Sequence, residues 1–308
     1  MSSSQNNQST IYISSSLLIS LIQIPILSLT IVLAIAYILL LLIRPAFRHN
    51  KLNWFTINVC LTSTCISTYF LAINIQLVLS ISSSLSIRLQ FFLQYMGISQ
   101  VTYSHCAIAC SRLLTVVYAN KRIFQSNVCI CCCVICGWIL AVVLTMPLLF
   151  QDILIFYSNS LATNFWSYYY IVITLFLPLV IVTACNTRTL LFIRSSTRRI
   201  HAMGADGQGN QNRDGLLIKT MVGNFIVFLG GWSPPMIIQL FNKTNYIPVS
   251  LNIYFQTVAV LTLFQSVVLL IVTNQPVRTF LKQIVVGQPR VVNANRTQIK
   301  RQTIIAPH

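Results

Sequence analysis

The chain has 308 residues, 56% of them hydrophobic and only 7% charged, whereas a soluble domain carries about a quarter charged residues. That balance excludes an ordinary soluble globular protein. The net charge of +17 does not describe a nucleic-acid partner either, because Lys and Arg punctuate long apolar runs instead of clustering on one soluble face.

Residues 1–16, rich in Ser, Gln and Asn, form an N-terminal tail without a basic leader, so the first span is expected to act as its own insertion signal. The tail carries the glycosylation sequon Asn7-Gln8-Ser9. An apolar stretch of about 20 residues crosses the hydrocarbon core as a helix. Windows of that kind predict spans over Leu17–Ile43, Trp54–Ser80, Leu89–Tyr118, Val128–Phe150, Ser167–Ile193, Leu216–Phe241 and Ile247–Thr273. The run Gly204–Arg213 lacks large apolar side chains and reads as a flexible loop. Asn274-Gln275-Pro276 breaks the last span, and Val277–Val286 alternates apolar and basic groups like a short helix lying on a membrane surface. Residues 287–308 form a tail. The expected fold is all-α: a seven-transmembrane helix bundle with a short amphipathic eighth helix, spanning residues 17–286.

Orientation follows from the basic residues, which stay on the cytoplasmic side of the insertion machinery. Every Lys and Arg except Arg88 and Lys243 falls on one side of the predicted spans. That asymmetry predicts an N-terminus outside the cell and a C-terminus in the cytoplasm, and the plasma membrane is the expected location. Asn7 is then available for glycosylation, whereas the sequon at Asn295 lies inside.

All ten cysteines fall inside apolar runs and are expected to be reduced lipid-facing or packing residues. The run Cys129, Cys131, Cys132, Cys133 is no metal site, since successive helical residues point apart and no His lies beside them. No cofactor is expected. The spans hold no grouped carboxylates, His pairs or Ser/His/Asp arrangement, and His105 stands alone as a packing residue, so an enzyme is not expected.

Arg112, near the inner end of the third span, has two readings. It either anchors its helix by reaching toward the interface or acts as a switch that pairs with an acid and is released when helices part. Of the three acids, Asp152 lies outside and Asp206 in the flexible loop, which leaves Asp214 at the right depth. Asp214 also suits a helix N-terminus, where the macrodipole favours a carboxylate. In the sixth span, Pro234 and Pro235 each remove a backbone donor and force a kink, which provides a hinge. Trp232 stands beside that hinge, either as a sensor of what fills a cavity or as an ordinary packing aromatic.

Seven spans, Arg112 closing the third, Trp138 in the fourth, Pro178 in the fifth and Trp232-Ser233-Pro234 in the sixth together resemble the rhodopsin-like (class A) G-protein-coupled receptors. By that resemblance Arg112 matches the arginine of the acid-Arg-Tyr motif, with Ser111 and Leu113 as its neighbours. Gly231-Trp232-Ser233-Pro234 matches Cys-Trp-x-Pro, and Phe228 matches the aromatic that slides as the helix turns. The family's Asn-Pro-x-x-Tyr falls at Leu269–Thr273 and is lost, while Phe280 fits the start of the surface helix. Ser63 replaces the second-span aspartate, so the family's sodium site is not expected. The usual extracellular disulfide is also absent, for want of cysteines near Arg88 and between Phe150 and Ser167.

The resemblance implies a divergent, chemosensory or peptide receptor that binds an extracellular ligand in the outer half of the bundle and activates a heterotrimeric G protein. Gln94 lies five turns outward of Arg112, where amine receptors place an aspartate, so an amine ligand is disfavoured. The seventh span has no lysine, which excludes a retinal Schiff base. Gln94, Tyr170, Thr174, Trp232, Gln239 and Tyr254 are the candidate pocket groups. Rival readings are a seven-helix protein without G-protein coupling, such as a ligand-gated channel subunit or silent relative, and a transporter. The transporter reading lacks repeated halves and ionisable residues at the midplane.

Overall fold

A computed structural model describes residues 2–48, 51–81, 85–118, 126–150, 165, 168–202, 222–223, 225–227, 229–238 and 249–286. Almost all of these are helical. In chain order they form α1 (Ser2–Ile43), a single turn at Pro45–Arg48, α2 (Lys51–Val78), α3 (Ile87–Val117) and α4 (Asn127–Thr145). After α4 come a 3-10 turn (Met146–Phe150), a π-turn (Val172–Phe176) and α5 (Leu177–Ala202). Then follow α6 (Phe225–Ile238), α7 (Val249–Thr273) and α8 (Gln275–Val286). The residues expected as an N-terminal tail continue α1 back to Ser2.

Among the described residues, five helical segments are long and apolar enough to cross a membrane: Leu17–Ile43, Asn53–Val78, Val128–Thr145, Tyr168–Ser195 and Tyr254–Thr273. Each falls on a predicted span. The third predicted span is a helix of 31 residues but is too polar to join them. Its position explains why. Residues 98–109 of α3 are buried without interruption, and α3 packs against α2, α4 and α5. A helix enclosed by protein can carry Ser99, Gln100, Thr102, Ser104 and His105, because its surroundings are other side chains and not lipid. The peripheral α4 is the opposite case: only 17% of its Val128–Thr145 window is buried.

Two apolar clusters tie the helices together. One joins Ile66, Ile98, Val101, Tyr170, Ile173, Trp232, Met236, Ala259 and Leu263. The other joins Tyr103, Cys106, Ala109, Ala141, Val182, Phe225 and Leu229. Several polar groups at the helix seams find partners across them, as the absence of water favours. The side chain of Asn58 in α2 donates to Ser104 Oγ in α3 at 3.0 Å and accepts from Trp138 Nε1 in α4, also at 3.0 Å. Tyr169 OH donates to the Leu144 carbonyl at 3.0 Å, and Tyr37 OH donates to the Leu270 carbonyl at 3.3 Å.

At the π-turn the chain winds more widely, and the carbonyl of Ile173 accepts a 2.7 Å hydrogen bond from the Tyr103 hydroxyl. Tyr103 is 2% exposed, so water cannot replace that donor. Tyr103→Phe is therefore expected to lower stability by about 1 kcal/mol, read as an earlier thermal unfolding transition in detergent.

The stretch from Ile271 to Val286 belongs to a second compact unit. Within it α8 begins directly after Asn274, with Pro276 in the first turn, where a missing N–H goes unnoticed. Leu281 and Ile284 are exposed, as are the basic Arg278 and Lys282.

Candidate functional site

Helices α1, α2, α3, α6 and α7 enclose a cavity of about 190 Å³. Trp232 and Met236 of α6 form one wall with Pro235, and Phe70, Tyr95 and Ile98 form another. The Phe70 and Trp232 rings stack at 5.8 Å between centroids, and Tyr95 packs on Tyr170 at 4.0 Å. Four carboxamides complete the lining: Gln23, Asn74, Gln94 and Gln256. None of the lining residues is a Lys, Arg, His, Asp or Glu.

Two of those carboxamides belong to a relay between three helices. Ser20 Oγ donates to Asn74 Oδ1 at 2.9 Å, Asn74 Nδ2 donates to Gln23 Oε1 at 3.0 Å, and Gln23 Nε2 donates to Thr257 Oγ1 at 3.4 Å. The relay fixes which edge each amide turns toward the cavity. A ligand there meets aromatic faces and neutral donors and acceptors, and no fixed charge.

Of the residues singled out from the sequence, Gln94 and Trp232 line this cavity. Tyr170 and Thr174 do not line it: both are buried, with the Tyr170 hydroxyl beside Thr174 and Ser99. Tyr170 supports the wall from behind through Tyr95. Tyr254 has to be corrected. It is 63% exposed, edge-on to Phe255, because its register on α7 turns it away from the bundle. Gln239, Phe228 and Asp214 lie outside the described residues. Pro234 and Pro235 sit within the helical stretch 229–238 of α6.

Gln23, Asn74, Tyr95 and Gln256 were missed. Gln23 and Asn74 come from α1 and α2, helices from which no pocket group was expected. The available signal was an amide inside an otherwise apolar run, since such groups face the protein interior and not lipid.

Gly231 allows α6 and α7 to approach closely beside Trp232. A Cβ at that position would stand 2.7 Å from Thr262 Oγ1 and 3.0 Å from Thr262 Cβ, and closer still to its methyl group. Glycine is the residue this contact admits.

Arg112 lies at the far end of α3 from Gln94 and is only 6% exposed, so its guanidinium does not reach outward as an anchoring arginine would. It lines a small void with His105, Asn186 and Phe225. The His105 and Phe225 rings are 6.0 Å apart between centroids. Phe225 belongs to α6, the helix that also carries Trp232, so one helix touches both the cavity and the neighbourhood of Arg112.

All ten cysteines are free thiols. Cys110 and Cys185 approach to 3.7 Å between sulfurs, across the seam between α3 and α5.

No protein-family profile matches the chain, and no curated protein does. Among solved structures, the chain is similar to the crystal structure of squid rhodopsin, with a TM-score of 0.72 at 15% identity. The alignment covers 89% of this chain and 85% of that one. At this identity the likeness concerns the fold alone: an all-helical arrangement like that of squid rhodopsin.

Proposed function

We propose that the chain is a divergent rhodopsin-like receptor of seven membrane spans and a surface eighth helix, with its N-terminus outside the cell and its C-terminus in the cytoplasm. An extracellular ligand occupies the cavity walled by Trp232, Phe70 and Tyr95. Its binding favours a state in which the end of α6 near Phe225 moves away from Arg112. The basic crevice so opened admits a heterotrimeric G protein. Asp214 is the acid that holds Arg112 in the resting state, and Pro234 and Phe228 supply the hinge and the sliding aromatic.

The observation that carries this reading is that α6 lines both cavities, with Trp232 in one and Phe225 in the other. A shift of the part of α6 that precedes Pro234, which carries both Phe225 and Trp232, would therefore couple what fills the first to what Arg112 meets in the second. The cavity's lack of fixed charge supports an uncharged ligand over an amine.

The test is nucleotide exchange on added G protein, measured in membranes with and without members of a broad ligand screen. Asp214→Ala should raise basal exchange: a pair worth about 1.4 kcal/mol shifts a two-state ratio about tenfold when lost. Arg112→Ala should remove stimulated exchange. Ala259→Phe, which fills the cavity, should abolish the response to any hit while basal exchange persists. Unchanged basal and stimulated activity in both the Arg112 and Asp214 variants removes the switch, and an ionic current under the same stimulus favours a channel. Topology is checked by antibody access to a tag on Ser2 of intact cells and by glycanase sensitivity at Asn7.

A further inference from the structure

Helix α4 begins with an unusual concentration of thiols: Cys129, Cys131, Cys132, Cys133 and Cys136 within eight residues. Ser126 caps the helix, its Oγ accepting from the Cys129 N–H at 3.2 Å, which fixes where the span starts. Cys131 and Cys132 therefore lie about 6 to 8 Å along the axis from Asn127. The helix has 19 residues, about 28 Å at 1.5 Å per residue, close to the thickness of the hydrocarbon layer. Its two ends consequently sit near the two interfaces, and these thiols lie just beneath one of them.

The cysteines are not equivalent. Cys133 hydrogen-bonds Cys129 one turn away, whereas Cys131, Cys132 and Cys136 are exposed. Below Cys131 on the same helical face come Ile135 and Ile139, 55% and 57% exposed, with Val143 at 59% beside them. An apolar strip facing lipid thus descends from the thiols toward the middle of the bilayer. The segment preceding α4 carries Lys121 and Arg122. Under the topology proposed above, on which this inference rests, that end faces the cytoplasm, where long-chain acyl thioesters of coenzyme A are found.

We infer that Cys131 and Cys132 are a site of reversible S-acylation by a long-chain fatty acyl thioester, with the acyl chain lying along the exposed Ile135, Ile139 and Val143 strip. The cysteine sulfur attacks the acyl carbonyl, forming one carbon–sulfur bond as the bond to coenzyme A breaks. The thiol proton passes to the departing coenzyme A sulfur, so nothing is oxidised or reduced. A membrane acyltransferase of the host cell catalyses the exchange. An acyl chain here pins the start of α4 to the inner leaflet. The exposed thiol Cys136 lies one turn or more deeper, farther from a water-soluble donor.

The test uses the full chain in cells fed alkynyl palmitic acid, then purified, coupled to a fluorophore and treated with hydroxylamine. Wild type is expected to carry a hydroxylamine-sensitive label. Cys131→Ser with Cys132→Ser should lose nearly all of it, while Cys65→Ser with Cys136→Ser should keep it. A full label on the first double variant, or none on wild type while the Ser2 tag is accessible from outside, overturns the inference. No label together with a Ser2 tag accessible only from the cytosol overturns the topology and this site with it. If the double variant is retained inside the cell, each single variant is read with a maleimide mass-tag assay, expected to count one acyl thioester fewer. An unchanged count in both counts against the site.

Discussion

Gly231→Ala is expected to lower the stability of the purified protein by about 1–3 kcal/mol, the usual effect of forcing an extra carbon into a packed seam. The neighbour that would have to move is Thr262, a β-branched residue whose side chain leaves little room to rotate. Its hydroxyl is itself committed, donating to the Ala259 carbonyl at 2.7 Å. The strain should therefore separate α6 from α7 beside Trp232, at the cavity wall. The check is a double-mutant cycle with Thr262→Ala, read by thermal unfolding in detergent. Thr262→Ala should recover a large part of the loss, giving a coupling on the order of 1 kcal/mol between the sites. Simple additivity of the two substitutions would mean that the close approach does not exist. Gly97 makes the informative contrast. A Cβ there meets the Ile66 side chain at its terminal carbon, a flexible end that can swing away, so Gly97→Ala should lose much less.

Asn58→Leu should be the other large loss, about 1–3 kcal/mol, because one side chain serves two others. The amide nitrogen donates to Ser104, and the amide oxygen accepts the indole N–H of Trp138. Leucine fills much the same volume and answers neither. Ser104 keeps its own bond to the Gln100 carbonyl at 2.8 Å, but the part-buried Trp138 donor loses its acceptor, and leaving it unmatched is the larger part of the effect. Trp138→Phe, which removes the donor instead, should cost less than Asn58→Leu, since Asn58 then retains Ser104. Chemical denaturation in mixed micelles can rank the three proteins. Equal midpoints for wild type and Asn58→Leu would remove the three-helix bridge from any account of this fold.

Five of the seven expected spans were legible because the physics that sets them acts locally. A run of about 20 apolar residues crosses lipid whatever its neighbours are, which is why Leu17–Ile43 coincides with the helical segment observed and the others differ by a few residues. Arg112 was legible as well, a lone cation in an apolar stretch. Its surroundings were not. His105, Asn186 and Phe225 come from three separate stretches of chain, and nothing in their spacing announces that they meet. Tyr254 shows the same limit from the other side. Its residue type suited a pocket, but its position on the helix decided against it.

Composition and the length of the apolar runs alone marked this chain as one for a bilayer, and the distribution of Lys and Arg gave its expected orientation. Lipid imposes these through length and charge, properties a linear sequence carries in full. Only the tertiary structure decided that α3 is the enclosed helix, that α1 and α2 contribute Gln23 and Asn74 to a neutral cavity, and that Gly231 lets α7 close upon Trp232. Each depends on which faces of different helices meet. In a membrane that choice is made by close packing and a few interhelical hydrogen bonds, with no hydrophobic pattern between helices to reveal it beforehand.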